Sequence, residues 1–148
     1  MKKKTLIRII FAVYLVAFIA FIFSNSLPSI EESAQTSGKA LSIINKILDF
    51  FGIPTMAGDL IIRKTAHFIE FFILGASLFI NALLYTELDK NTAFYCIFAS
   101  CLVAMTDETI QYFSERGSML LDVWLDLSGA TTAILIFFLI YRKKQLSK

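Results

Sequence analysis

The stretch RKTAHFIEFFILGASLFINALLY, residues 63–85, decides the fold of this chain. From Ala66 onward it is mostly apolar for about 20 residues, the length that an α-helix needs to cross a bilayer. Its first two turns nevertheless carry Arg63, Lys64, His67 and Glu70. Because an ionised side chain in hydrocarbon costs several kcal/mol, such groups normally face a protein interior or a wet cavity. The stretch therefore predicts a membrane helix with a polar site at one end.

The composition indicates that the rest of the chain is also membrane protein. Hydrophobic residues make up 57% of the 148 residues, and the mean hydropathy is +0.69. These values exclude an ordinary soluble domain, and the length allows one compact domain, residues 1–148, without a second. Cys96 and Cys101 lie in the same apolar run, which predicts a packing role and no disulfide between them.

Four apolar segments are long enough to cross a membrane, at about residues 6–23, 62–85, 92–113 and 119–141. The predicted fold class is all-α, a polytopic membrane protein built as a four-helix bundle. The second helix is expected to begin nearer Asp59. The first segment resembles a signal peptide, but no small-residue cleavage site follows Phe23, so we interpret it as a retained span.

The positive charges predict the orientation of the bundle. Basic residues cluster at both ends of the chain: Lys2, Lys3, Lys4, Arg8, Arg142, Lys143, Lys144 and Lys148. Because Lys and Arg are enriched on the cytoplasmic side of membrane helices, both termini are expected in the cytoplasm. That arrangement requires an even number of spans, in agreement with four. The segments after the first and third spans are then expected to face outward.

The first outward segment contains a predicted amphipathic helix at about residues 39–51. Ser42, Asn45, Lys46 and Asp49 recur at helical spacing, and the positions between them are mostly apolar. Gly52-Ile53-Pro54 ends the pattern, as helix terminators do. This helix is expected to lie on the outer leaflet or to cap the bundle.

Orientation brings three polar clusters to one leaflet. The second span begins there, the third ends there and the fourth begins there. Asp107 and Gln111 share one face of the third helix, and Glu108 is turned aside from that face. The candidate ligand-binding residues of this outward pocket are Arg63, Lys64, His67, Glu70, Asp107, Glu108, Gln111, Arg116, Asp122 and Asp126.

The opposite charges within these clusters predict ion pairs between helices. Glu70 and Asp107 are expected to pair with Arg63, Lys64 or Arg116. On the fourth helix, small residues follow the two acids along the same face, which favours close helix packing deeper in the membrane.

The same residues resemble those of the VanZ-like family of bacterial membrane proteins. The resemblance covers nearly the whole chain and rests on Ser24-Asn25-Ser26, Ser33, Arg63-Lys64-x-x-His67-Phe68-x-Glu70-Phe71, Gly75, Asp107-Glu108-x-x-Gln111-x-Phe113, Arg116, Asp122 and Gly129. Two positions depart from the family pattern: Asp126 stands where Asn is common, and Ser114 stands where a Pro is common. The resemblance implies a multi-pass protein of the bacterial cell membrane with a role at the envelope. The founding member is associated with low-level resistance to the glycopeptide teicoplanin.

Three hypotheses remain open for the polar site. It could be a purely structural ion-pair network that fixes helix register. It could recognise the anionic or zwitterionic headgroup of a lipid or wall precursor, with Arg63, Lys64 and Arg116 meeting phosphate or carboxylate and the excess acids meeting an amine. Such a binder would lower glycopeptide susceptibility by restricting access of the drug to its target.

The third hypothesis is a membrane-embedded enzyme acting on a lipid-linked phosphate or acyl substrate. His67 would carry the proton, and Glu70 and Asp107 are the further catalytic candidates. The acids Asp107, Glu108, Asp122 and Asp126 could supply oxygen ligands to a divalent metal, although no cofactor is expected. The sequence contains no Gly-rich phosphate loop, no serine-nucleophile motif and no paired-histidine metal motif. A transporter is disfavoured because inverted repeats and broken helices are absent from the sequence pattern.

Overall fold

The computed structural model describes residues 2–28, 38, 42, 59–86, 88–114 and 120–147. Within these ranges it contains four α-helices and no strand: α1 (Lys2–Ser26), α2 (Asp59–Leu83), α3 (Lys90–Phe113) and α4 (Leu120–Leu146). All four are long and apolar enough to cross a membrane, which confirms the predicted all-α, four-span architecture. Nearly all of the predicted amphipathic helix at about 39–51 lies outside the described residues, as does Arg116.

Successive helices run in opposite directions. At the start of α1, Nε of Arg8 donates a 2.8 Å hydrogen bond to the carbonyl of Leu84, just beyond α2, and its guanidinium lies 4.9 Å from the ring centroid of Tyr85. At the other end of α1, Asn25 contacts Glu70, near the start of α2. We call the end where α1 and α3 finish and α2 and α4 begin the polar end. The basic termini of the chain lie at the opposite end.

Helix α3 shows how local sequence sets the helix limits. Asp89 precedes the helix and accepts a 2.6 Å hydrogen bond from the backbone N–H of Lys90, as an N-cap does. At the polar end, the backbone N–H of Ser114 donates to the carbonyl of Ile110 at 2.9 Å and ends the helix. Lys143 and Lys144 lie in the last turn of α4, where positive charge complements the helix dipole.

The closest helix pair is α2 with α4, which run parallel to one another. Lys64 contacts Asp122 near their starts, and Phe79 packs edge-on against Phe138 near their ends, with ring centroids 6.3 Å apart. Glycine permits this approach. A Cβ at Gly129 would overlap the carbonyl oxygen of Phe68. A small residue at such a crossing lets two backbones touch in a membrane, where dispersion contacts drive helix association.

Apolar packing lies directly beneath the polar end. Ile22, Phe71, Leu74, Ala104 and Ala130 form one buried cluster with residues from all four helices. A second cluster, centred on Phe79, Cys96 and Ile134, lies nearer the opposite end. Cys96 and Cys101 are both free thiols, as predicted.

Helix α1 holds a peripheral position in the bundle. Among the described residues its backbone lies close to α2 and α3 and farther from α4. It therefore lies across α2 and α3, and its last turn reaches the side chains at the polar end.

Candidate functional site

The centre of the site is formed by one residue from each of α2, α3 and α4. Nδ1 of His67 lies 3.5 Å from Oδ1 of Asp126 and 3.9 Å from Oδ2 of Asp107. Both aspartates are 0% exposed. Neither distance is within the usual 2.7–3.2 Å range of an N–H···O hydrogen bond. The three side chains thus face one another without direct hydrogen bonds between them.

Asp107 is held by neutral donors on both of its oxygens. Ser26, the last residue of α1, donates its hydroxyl to Oδ1 at 2.6 Å. Gln111, one turn further along α3, donates Nε2 to Oδ2 at 2.8 Å and also lies 3.4 Å from the Ser26 hydroxyl. These contacts fix the carboxylate in one orientation towards α2 and α4.

Glu70 is also bound by α1. Nδ2 of Asn25 donates a 2.8 Å hydrogen bond to its Oε1. The structure gives both acids neutral partners, so Glu70 and Asp107 do not form the expected ion pairs with Arg63 or Lys64. The reason is axial position: helical rise is about 1.5 Å per residue, so the two cations lie roughly two turns nearer the polar end than Glu70. The end of α1 fills the space that they were expected to reach. The third expected partner of these acids, Arg116, lies outside the described residues, and that pairing stays a prediction.

Lys64 takes a different partner. Nζ of Lys64 pairs with Oδ1 of Asp122 at 2.6 Å, joining the first turns of α2 and α4. The two side chains are 38% and 26% exposed, so the pair stays accessible from the polar end. Nε of the neighbouring Arg63 is buried and has no hydrogen-bond partner in the part of the chain that the structure describes.

Asp126 is fully buried and lacks hydrogen bonds to its side chain within the described ranges. Neither of its carboxylate oxygens has a hydrogen-bond partner among the described residues, and the same holds for Nδ1 of His67. Buried polar atoms are nearly always hydrogen-bonded, because an unpaired one forfeits its hydration without compensation. The centre of the site can therefore accept a cation or a proton between His67 and the two aspartates.

Beside this centre, α3 and α4 enclose an apolar groove of about 580 Å³. Its lining is mostly aliphatic and aromatic: Cys101, Met105, Glu108, Thr109, Tyr112, Phe113, Leu120, Val123, Trp124 and Leu127. Among the described residues that line the groove, Glu108 is the only acid, and it is 6% exposed. Because consecutive helical residues differ by about 100°, Asp107 faces α1 and α2 while Glu108 faces the groove.

The described candidate residues thus lie in three places: the buried centre, the polar end and the apolar groove. His67, Asp107, Gln111 and Asp126 come together in the buried centre, and Glu70 is half-buried and bound to Asn25. Arg63, Lys64 and Asp122 lie nearer the polar end, Glu108 lines the groove, and Arg116 lies outside the described residues.

Sequence reasoning missed the contribution of α1. Asn25 and Ser26 were not among the candidate residues, although they bind Glu70 and Asp107. A signal was present: a polar run, Ser24-Asn25-Ser26, directly follows the apolar part of the first span. Since that span runs towards the polar end, its last residues had to lie level with the other polar clusters.

One protein-family model matches most of the chain. The family model described as VanZ/LLP1 matches residues 11–141, which takes in most of α1 and α4 and all of α2 and α3. No curated protein and no solved structure matches the chain.

Proposed function

This chain belongs to the VanZ/LLP1 family of envelope membrane proteins, and from that premise we propose that it recognises the headgroup of a membrane amphiphile. The ligand class is a lipid or a lipid-linked wall precursor whose headgroup carries an anionic group, with or without an amine. The headgroup binds at the polar end, and the apolar chain lies in the groove between α3 and α4. Both termini are in the cytoplasm, so the site faces outward.

The relation between Asp107 and Glu108 carries the proposal. Asp107 belongs to the buried polar centre, and its neighbour Glu108 lines the apolar groove. A polar site and an apolar groove therefore share one wall. An amphiphile is the kind of ligand that fits such an arrangement, because ligand sites combine an apolar lining with a few convergent polar groups.

The headgroup chemistry follows from the charges nearest the polar end. Arg63 offers a guanidinium whose Nε has no partner in the described chain, and Lys64 offers an accessible ammonium. Both suit a phosphate or carboxylate. Asp122 supplies negative charge close by, which suits an amine on the same headgroup. A zwitterionic ligand can therefore replace the Lys64–Asp122 pair with two intermolecular pairs.

Access to the site is lateral, from the outer leaflet. The large side chains at the groove, such as Trp124 and Tyr112, are 63% and 68% exposed and would contact lipid in a bilayer. An amphiphile can thus enter without leaving the membrane. When the bound molecule is a wall precursor, its sequestration lowers the access of a glycopeptide such as teicoplanin to the same headgroup.

Co-purification tests the proposal. Wild-type protein and an Arg63→Ala variant are extracted in mild detergent, and their bound amphiphiles are identified by mass spectrometry. Arg142→Ala is the control, because it removes the same charge from an exposed position near the opposite end of α4. Wild type and control are expected to retain one amphiphile class that Arg63→Ala loses. Phospholipids and lipid-linked precursors are distinguished by mass. Identical profiles for all three proteins would contradict the proposal.

A further inference from the structure

We infer that His67, Asp107 and Asp126 form a binding site for a divalent transition-metal ion of the zinc or manganese kind. One imidazole nitrogen and two carboxylate oxygens are offered from three different helices, and the donor atoms all lie within 4.8 Å of one another. The inference stands whether or not the protein binds an amphiphile, because it depends only on these three side chains and their supports.

The distances from Nδ1 of His67 to the two aspartates suit donors of one shared ion. Zinc binds histidine nitrogen and carboxylate oxygen at about 2.0–2.2 Å, so two donors of one ion lie no more than about 4.3 Å apart. His67 Nδ1 lies 3.5 Å from Asp126 Oδ1 and 3.9 Å from Asp107 Oδ2, inside that limit. Both distances are too long for good hydrogen bonds and too short for unrelated groups, as expected for donors around a common centre.

A second observation points to a ligand at this position. Asp126 is 0% exposed, and both of its oxygens lack hydrogen-bond partners among the described residues. Nδ1 of His67 has none either. A carboxylate deprived of water and of donors is strongly disfavoured in a membrane interior. An ion between these groups would give a partner both to Nδ1 of His67 and to an oxygen of Asp126.

Charge balance favours a divalent cation. Two carboxylates and a neutral imidazole carry a net charge of about −2, which a divalent ion cancels. A mixed nitrogen and oxygen set also selects the ion type. Imidazole suits zinc and the carboxylates also suit manganese, whereas magnesium and calcium prefer sites made of oxygen alone.

The hydrogen bonds to Asp107 resemble those that orient carboxylates bound to metals. Ligating carboxylates are usually oriented by hydrogen bonds from residues that do not touch the metal. Ser26 and Gln111 provide such bonds to the two oxygens of Asp107. Helix α1 would thus orient a ligand without supplying one. Three protein ligands leave at least one coordination position open for water or for an oxygen of a bound headgroup.

The test measures metal content in purified protein without added lipid. Wild type is stripped with a chelator, reloaded with Zn²⁺ or Mn²⁺, desalted and analysed by inductively coupled plasma mass spectrometry. About one ion per chain is expected. Asp126→Asn removes a ligand charge with little change in shape and is expected to weaken binding by at least about tenfold. Asp89→Asn is the control, since it makes the same change at an exposed position at the opposite end of the bundle, where Asn also caps a helix, and it is expected to retain the ion.

Folding of each variant is checked by its thermal melting temperature and by size exclusion. If Asp126→Asn does not fold, His67→Gln takes its place in the comparison. The melting temperature of wild type should rise on reloading and fall on chelation, since an ion that binds only the folded state stabilises it. Wild-type protein that holds no more ion than Asp126→Asn or His67→Gln, or that melts at the same temperature with and without metal, would overturn the inference. A proton shared by His67 and Asp126 would then account for the cluster. Because no amphiphile is present, this result does not bear on headgroup recognition.

Discussion

Ser26, at the end of α1, donates a 2.6 Å hydrogen bond to Oδ1 of Asp107 on α3, 81 positions along the chain, and both residues are buried. This bond makes the first span part of the polar site. It also explains how a fully buried carboxylate is tolerated beneath the polar end. A helix that served only as an anchor would not need a buried hydroxyl at its last position.

Replacing Ser26 with Ala should destabilise the protein. The change removes a donor to a buried carboxylate, and such losses cost about 1–3 kcal/mol. We expect a lower melting temperature in detergent. Ser24→Ala is the control, because Ser24 is exposed and its hydroxyl donates only to the backbone of its own helix. Equal melting temperatures for the two variants would mean that the contact between α1 and α3 contributes nothing to stability.

The close contact of Gly129 with α2 should also be sensitive to substitution. Gly129→Ala would drive a methyl group into the carbonyl of Phe68, so α2 and α4 must separate. Overpacking of this kind costs about 1–3 kcal/mol. Ser128→Ala, at the adjacent exposed position, is expected to leave the unfolding midpoint within error of wild type. An unchanged midpoint for Gly129→Ala would show that the two backbones are not in contact.

Much of this architecture could be predicted from the sequence because membrane spans are set by length and hydropathy. Each apolar segment of about 20 residues corresponds to one helix, and the alternation of direction places the polar clusters at one end. The position of the polar site along the bundle follows from the same reasoning. Asp107 and Asp126 are polar residues in apolar helices, and both are indeed buried.

The partners within the site could not be predicted in the same way. A helical face shows which way a side chain points, but not which helix stands opposite. Glu70 was expected to pair with a cation and instead accepts from Asn25, because α1 packs against α2 at that level. Likewise, the small residues of the fourth helix predict a close helix contact but do not say which helix makes it, and in the structure Gly129 meets the backbone of α2.

The Lys64–Asp122 pair should matter more for binding than for stability. Ion pairs that are partly exposed contribute at most about 1 kcal/mol. Lys64→Gln is therefore expected to fold normally and melt close to wild type, yet to lose co-purified amphiphile. Loss of both stability and ligand would instead assign the pair a structural role. Lys90→Gln, an exposed change at the opposite end, controls for net charge.

The outward orientation of the polar end can be tested by cysteine labelling in cells. In a Cys96→Ala and Cys101→Ala background, Leu27→Cys introduces a thiol at the polar end, and Leu146→Cys introduces one at the opposite end; both positions are exposed. A membrane-impermeant maleimide should label Leu27→Cys in intact cells. It should label Leu146→Cys only after permeabilisation, since basic termini are expected on the cytoplasmic side. The reverse pattern would place the site in the inner leaflet.

The central claim is that groove and polar end bind one amphiphile, and native mass spectrometry of purified protein titrated with the amphiphile found by co-purification tests it most directly. Met105→Trp should fill the groove, and Leu102→Trp adds the same bulk to a neighbouring exposed position that does not line it. We predict that Met105→Trp and Lys64→Gln each weaken binding by about tenfold, a loss of about 1.4 kcal/mol. Leu102→Trp should bind as wild type does. Equal affinities for all four proteins would contradict the account.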